Sequence, residues 1–224
     1  MPRILLLTDR STLPEPGPVI AAALKGGGFH LCLREKGLEA GALLRLASEL
    51  REILLSGGGT LLVHDRVDVA LAIGADGVHL PGGGIPTAAA RDLLGPELLL
   101  GRSCHHVEEA VLALAAGADY VTLSPIFATR SHPGAPHLGV ERFREMRCAI
   151  PGPVLALGGI EASNAGLAAE AGADGVALIR GIFAAPDPAR VVATLRAIFV
   201  PGGSRPVFQR VAKADDRSES SGPA

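Results

Sequence analysis

Along this chain, short apolar runs alternate with longer segments in which apolar residues recur every three or four positions. The short runs are "RILLLT" (3–8), "FHLCLR" (29–34), "TLLVHD" (60–65), "GVHL" (77–80), "ELLLGR" (97–102), "YVTLS" (120–124), "PVLALG" (153–158) and "GVALI" (175–179). They carry little polar alternation, as strands covered on both faces require. Segments such as "GALLRLASELREILLSG" (41–57) between them have helical spacing. Strand and helix in regular alternation predict a parallel sheet.

One joint is written three times: "GADGVHL" (74–80), "GADYVTL" (117–123) and "GADGVAL" (172–178). Each copy follows an alanine-rich helical segment: "VDVALAI", "EEAVLALAA" or "NAGLAAEA". Gly74, Gly117 and Gly172 are therefore expected to end helices in the left-handed region, and the residues after them to turn into a buried strand. Eight such units over residues 1–200 predict an α/β protein: a (β/α)8 TIM barrel in a single compact domain, small for a fold of about 250 residues. An open doubly wound sheet is the competing architecture, but no glycine-rich phosphate signature follows the first strand. The segment 201–224, rich in Gly, Pro, Ser and mixed charge, is expected to be a disordered tail, with docking around Val207–Val211 as the other reading.

Composition narrows the classes. Hydrophobic residues make up 48% but aromatics 3%, with no Trp, so the core must be aliphatic. A net charge of −2 without a basic stripe argues against nucleic acid, and one Tyr with six Phe offers little for base stacking. Cys32, Cys104 and Cys148 form no CxxC or paired framework, which suggests a reducing, cytoplasmic setting. The apolar run of "MPRILLLTDR" is too short for a signal core or a membrane span, and no membrane association is expected. Exposed apolar helix faces would allow a homo-oligomer.

In this fold the chemistry lies at the C-terminal ends of the strands. There the chain supplies Arg34, Glu35 and Lys36, then His64, Asp65 and Arg66, then Arg102, Ser103 and His105, and later Ser124, Thr129 and Arg130. Such a ring suits phosphorylated small molecules. "LGGI" (157–160) and "LIRGIF" (178–183) follow the seventh and eighth strands, where barrels often cradle phosphate on backbone N–H groups. Asp65 could hold Mg²⁺ or cap the helix after it. His64, His79, His105 and His132 could converge at the mouth, but without HxH or HExxH spacing they do not argue for zinc. A histidine there is more often a hydrogen-bonded liner than a proton carrier. His30 and His137 read as surface or loop residues.

"LLLTDR", "LREK", "HDRVDVALAIGADGVHL", "GRSCH", "GADYVTLSPIFATRSHPG", "LALGGI" and "GADGVALI" together resemble the thiamine phosphate synthase family, with its thiazole tautomerase relatives, over about residues 4–195. The resemblance implies a transferase of thiamine biosynthesis. It would join a hydroxymethylpyrimidine diphosphate to a thiazole phosphate through a dissociative step that releases pyrophosphate, with Mg²⁺ as cofactor. It implies that Arg34 and Lys36 contact the diphosphate, that Asp65 ligates Mg²⁺ and that Ser103 hydrogen-bonds the pyrimidine diphosphate. Thr129, Ser131, Gly159 and the backbone at Ile179 would hold the thiazole phosphate.

The chain also departs from the family pattern. Cys32 stands for Gln, His64 for Asn, Gly84 for a second magnesium aspartate, His132 for Lys, and Ile179-Arg180 for Ile-Ser. His64, His132 and Arg180 remain expected substrate contacts. Each lost charge should weaken leaving-group stabilisation by about a few kcal/mol unless Arg130, Arg180 or His132 compensates. His105 matches a tautomerase histidine, but the second would fall at Ser124 or Pro125. A tautomerase-like isomerase and a diverged, non-catalytic phosphate-ligand-binding protein therefore stay open beside the synthase.

Overall fold

A computed structural model describes residues 3–10, 13–129 and 136–199. In chain order, β1 (Ile4–Leu7) leads through α1 (Gly17–Leu24) to β2 (His30–Leu33), α2 (Ala40–Ser56) and β3 (Thr60–His64). There follow α3 (Val67–Ile73), β4 (Gly77–Leu80), α4 (Thr87–Leu94), β5 (Leu99–Cys104), α5 (Val107–Ala115) and β6 (Tyr120–Leu123). The chain ends its regular structure with α6 (Gly139–Cys148), β7 (Val154–Leu157), α7 (Ala165–Glu170), β8 (Gly175–Leu178), α8 (Arg180–Phe183) and α9 (Pro188–Phe199). Every strand pairs in parallel with its sequence neighbours, and β1 pairs with β8 to close an eight-stranded barrel. The expected (β/α)8 fold is therefore the observed one. The tail 201–224 lies outside the described residues.

Side chains alternate along each strand, which splits the core in two. Ile4, Leu6, Leu31, Leu33, Leu61 and Val63 face the helices, which return faces such as Leu43, Ala47, Leu50 and Leu54 of α2. Leu5, Leu7, Cys32, Leu62, Leu99, Tyr120, Leu155 and Ala177 fill the barrel itself. The same parity turns His64, His79, Ser103 and Thr122 inward. No helix among the described residues is long and apolar enough to cross a membrane.

The three repeated joints use their Asp in one way. Asp76 accepts Leu61 N–H at 2.8 Å, Asp119 accepts Leu100 N–H at 2.8 Å, and Asp174 accepts Val154 N–H at 3.0 Å. In return each Asp donates its own N–H to the carbonyl of that same residue. The joint thus clips the start of the incoming strand to the strand before it, which reading it as a simple turn had missed. Gly74, Gly117 and Gly172 adopt φ of 63°, 103° and 91°, in the left-handed region that favours glycine.

Two expectations are corrected here. β5 runs two residues later than expected, because Leu99 N–H bonds the Asp76 carbonyl and that pairing starts the strand. His30 is buried, not at the surface: its inward position on β2 sets it against the Thr60 hydroxyl at the base of β3.

Candidate functional site

The C-terminal ends of β2 and β3 form one side of the mouth. Arg34 N–H is tied to Thr8 Oγ1 at 2.9 Å, fixing the chain just beyond β2. Glu35, Lys36, His64, Asp65 and Arg66 then line a cavity of about 330 Å³. Asp65 adopts φ +63°, alone among the described non-glycine residues. Such a backbone is uncommon outside glycine and concentrates at functional sites. Helix α3 starts at Val67 with Arg66 at its cap and no side-chain cap hydrogen bond, so the Asp65 carboxylate is not used in capping. Its Oδ1 lies 2.9 Å from where a Cβ on Gly84 would sit. A side chain at 84 would therefore crowd Asp65 and Pro81, and position 84 supplies no second carboxylate where the family pattern has one.

His64 is neutral at ordinary pH: burial, then the nearby Arg34 charge, push its pKa down to about 4. Its Nδ1 and the Glu35 Oε1 are buried with no hydrogen-bond partner among the described residues. These observations fit a divalent cation held by Asp65 and completed by substrate oxygens and water, the usual habit of Mg²⁺. They do not describe an all-protein cage, since no group of three or more His, Cys, Asp or Glu among the described residues is arranged to hold a metal.

A register row crosses the barrel from this cavity. His64 pairs with His79, His79 with Gly101, and Gly101 with Tyr120. Gly101 has no side chain, so Tyr120 reaches over it to His79, and their rings stack with centroids 5.5 Å apart. Tyr120 Oη is 3.1 Å from His79 Nδ1, and Ser103 Oγ is 2.9 Å from His79 Nε2. Burial, then repulsion from His64 and Arg102, push the His79 pKa down to about 3. Burial raises that of the Tyr120 phenol. Both groups are neutral at working pH.

The ends of β7 and β8, with the loop after β6, form a second cavity of about 500 Å³ lined by Thr129, Gly159, Ile179 and Arg180 among others. Gly159 has φ +63°, and a Cβ there would lie 2.4 Å from the Ala128 carbonyl. Only glycine lets these two loops meet. Both cavities have the size of small-molecule sites.

The structure thus gathers Lys36, His64 and Asp65 around one cavity, with Arg34 beside His64, and Thr129, Gly159, Ile179 and Arg180 around the other. Ser103 joins the first group through His79, which stacks on His64 at 6.3 Å. His105 is exposed, its Nδ1 2.9 Å from the Ser124 carbonyl. Ser131 and His132 lie outside the described residues. Arg102, counted among the mouth cations, clamps the carbonyls of Gly82 and Ile85 instead. Sequence reasoning gave Tyr120 and Gly101 no role. Their signal was the inward parity of β5 and β6, readable only once the register is known.

By class, the chain is a closed (β/α)8 barrel whose mouth holds a cationic, carboxylate-bearing pocket beside a glycine-rich one. The thiamine monophosphate synthase family matches residues 5–182. The chain belongs to that family. A putative thiamine-phosphate synthase of Geobacter sulfurreducens is 46% identical over 202 residues, covering 88% of this chain and 94% of that one. The thiamine-phosphate synthase of Gloeobacter violaceus is 44% identical over 191 residues, which are 85% of this chain and 55% of that longer relative, so the chain spans about half of its length. Among solved structures, thiamine phosphate pyrophosphorylase from Pyrococcus furiosus superposes with a TM-score of 0.76 at 32% identity, covering 88% of this chain and 95% of that one.

Proposed function

We propose that this barrel is a thiamine-phosphate synthase. The C–O bond between the pyrimidine methylene and its diphosphate breaks, the electron pair leaves with pyrophosphate, and the thiazole nitrogen lone pair forms the new C–N bond. The observation that carries the reading is the pair of cavities at one barrel mouth, one for each anionic substrate.

Arg34 and Lys36 meet the diphosphate, and their charge counts for more as it departs, which is where charge stabilisation accelerates a dissociative step. Asp65 would hold Mg²⁺, with Glu35 as a further oxygen on the same wall. When bound, the cation neutralises the leaving diphosphate. Ser103 donates a hydrogen bond to the pyrimidine diphosphate, and neutral His64 lines its pocket. Thr129, Ser131, Gly159 and Ile179 hold the thiazole phosphate so that its nitrogen faces the reacting carbon. Arg180 supplies positive charge there in place of the family's Ser, and His132 is a further substrate contact in place of its Lys. His105 is exposed on the Ser124 carbonyl, and the second tautomerase histidine would fall at Ser124 or Pro125, neither of which is a base. The free Cys32, Cys104 and Cys148 support a cytoplasmic setting.

Pyrophosphate release tests this. Release should need both substrates and Mg²⁺ and should yield thiamine phosphate in equal amount. Turnover of a thiazole phosphate alone, or ligand binding without release under any metal condition, would overturn it.

A further inference from the structure

The synthase reading asks Ser103 to donate its proton to an anionic diphosphate oxygen. A serine hydroxyl has one proton, and a neighbouring imidazole can either take that proton or leave it free. His79 is fully buried and touches Ser103 Oγ through Nε2 at 2.9 Å. Its other nitrogen, Nδ1, lies 3.1 Å from the Tyr120 hydroxyl. Thr122 Oγ1 also approaches Ser103 Oγ, at 3.4 Å.

A neutral imidazole has one N–H and one lone pair, so the two contacts are coupled. If the Tyr120 O–H donates to Nδ1, then Nε2 carries the hydrogen and donates to Ser103 Oγ. The Ser103 proton is then left to point into the mouth. In the opposite tautomer Nε2 accepts the Ser103 proton, and Ser103 offers only lone pairs to the substrate's negative oxygens.

We propose that His79 is a positioning residue, held as the Nε2–H tautomer by Tyr120, that turns the Ser103 hydroxyl proton outward to the diphosphate. The proposal rests on the synthase reading. Register makes the relay available: His79, Gly101 and Tyr120 stand in one row on three adjacent strands. A Cβ on Gly101 would lie 2.5 Å from His79 Nδ1 and 2.2 Å from Tyr120 Cζ, so glycine there is what lets the two rings meet.

The direct test is nitrogen NMR of protein labelled with ¹⁵N-histidine, the His79 signals being assigned by their loss in His79→Gln. The expected result is a pyridine-type nitrogen at Nδ1 and a pyrrole-type nitrogen at Nε2, with Tyr120→Phe mixing the two. A wild-type Nδ1–H tautomer would overturn the proposal whether or not the enzyme turns over. In kinetics, Tyr120→Phe keeps the ring but removes the donor and should lower kcat about tenfold at unchanged KM for the thiazole phosphate. His79→Gln, whose amide can still donate to Ser103, should retain more kcat than His79→Leu. On a Ser103→Ala background, Tyr120→Phe should cost nothing further. Additive losses would mean a merely structural role and overturn this proposal alone, whereas full activity in Ser103→Ala would sink the assigned role of Ser103 together with it.

Discussion

Replacing Asp119 tests whether the repeated joint locks the barrel. Its Oδ2 accepts Leu100 N–H at 2.8 Å and Arg91 Nη2 at 2.7 Å. The side chains of Arg91 and Asp119 are only 11% and 13% exposed, so water can do little to replace the carboxylate. Asp119→Ala leaves the Leu100 N–H without its acceptor, at about 1–3 kcal/mol. The guanidinium keeps the carbonyls of Gly95, Leu98 and Gly117, so its lost partner adds about 1 kcal/mol rather than the full price of a buried unpaired charge. The sum is about 2–4 kcal/mol, or roughly 5–12 °C in Tm for a chain of this size. Asp119→Asn, which can still accept from Leu100, should lose about half as much. Urea unfolding at fixed m-value measures it, with a double-mutant cycle against Arg91→Met reporting the pair. The Arg142–Glu145 pair, 64% and 66% exposed, is the control and should contribute nothing measurable. A loss below about 1 kcal/mol, or no coupling between the two sites, would show that the joint turns the chain without locking it.

Gly101→Ala should destabilise by about 3 kcal/mol and abolish most activity, since its Cβ would lie 2.2 Å from Tyr120 Cζ; urea unfolding and pyrophosphate release measure the two effects. Gly166→Ala, on α7 with nothing within 4 Å of the added Cβ, should instead stabilise by about 0.5–1 kcal/mol in the same unfolding assay. Gly159→Ala should weaken thiazole phosphate binding at least tenfold in calorimetry while leaving pyrimidine diphosphate binding intact, because the cradle needs φ +63° there. Acid should destabilise the fold through His79. Its folded pKa of about 3 is below the ordinary value, so below about pH 6.5 the unfolded chain binds a proton that the folded one refuses. Stability is full above that pH and falls by about 1.4 kcal/mol per unit as pH drops towards 3. His79→Gln should remove its share of the slope between pH 6 and 5, where carboxylates hardly titrate, leaving the share of the similarly depressed His64, and identical slopes in urea unfolding would refute the assignment.

The fold was legible because each strand is a dense apolar run, and seven of the eight read from the sequence lie within a residue of the observed bounds at their start. The pockets were legible where a site follows directly from chain position, as at Asp65 after β3 or Gly159 after β7. What was hidden depends on register between strands. His79 reads as one histidine among several at the mouth, and Tyr120 as the first letter of a buried strand. Only the alignment of His79, Gly101 and Tyr120 turns them into one hydrogen-bonded row. His30 misled for the same reason: its polarity reads as surface or loop, but the inward face of β2 buries it beside Thr60.

That contrast explains why the chain repeats itself at one end of the barrel and varies at the other. At the joints every unit has the same problem, starting a strand against its neighbour, and one carboxylate solves it twice over by accepting the N–H of a residue whose carbonyl takes the N–H of the Asp itself. Arginines at 91 and 147 reinforce two of the three copies by gathering the carbonyls around them, those of Gly117 and Gly172 included. With strand starts held this way, the opposite strand ends need not carry register, and their residues are free to serve chemistry. The cost appears where chemistry and geometry meet: Asp65 in a left-handed backbone, and Gly84, Gly101 and Gly159 without side chains where a Cβ would crowd a neighbour. Crowded glycines also occur at strand starts such as Gly77 and Gly175, but the one described non-glycine residue with a left-handed backbone, Asp65, lines a cavity of the mouth, where strain kept for function is expected.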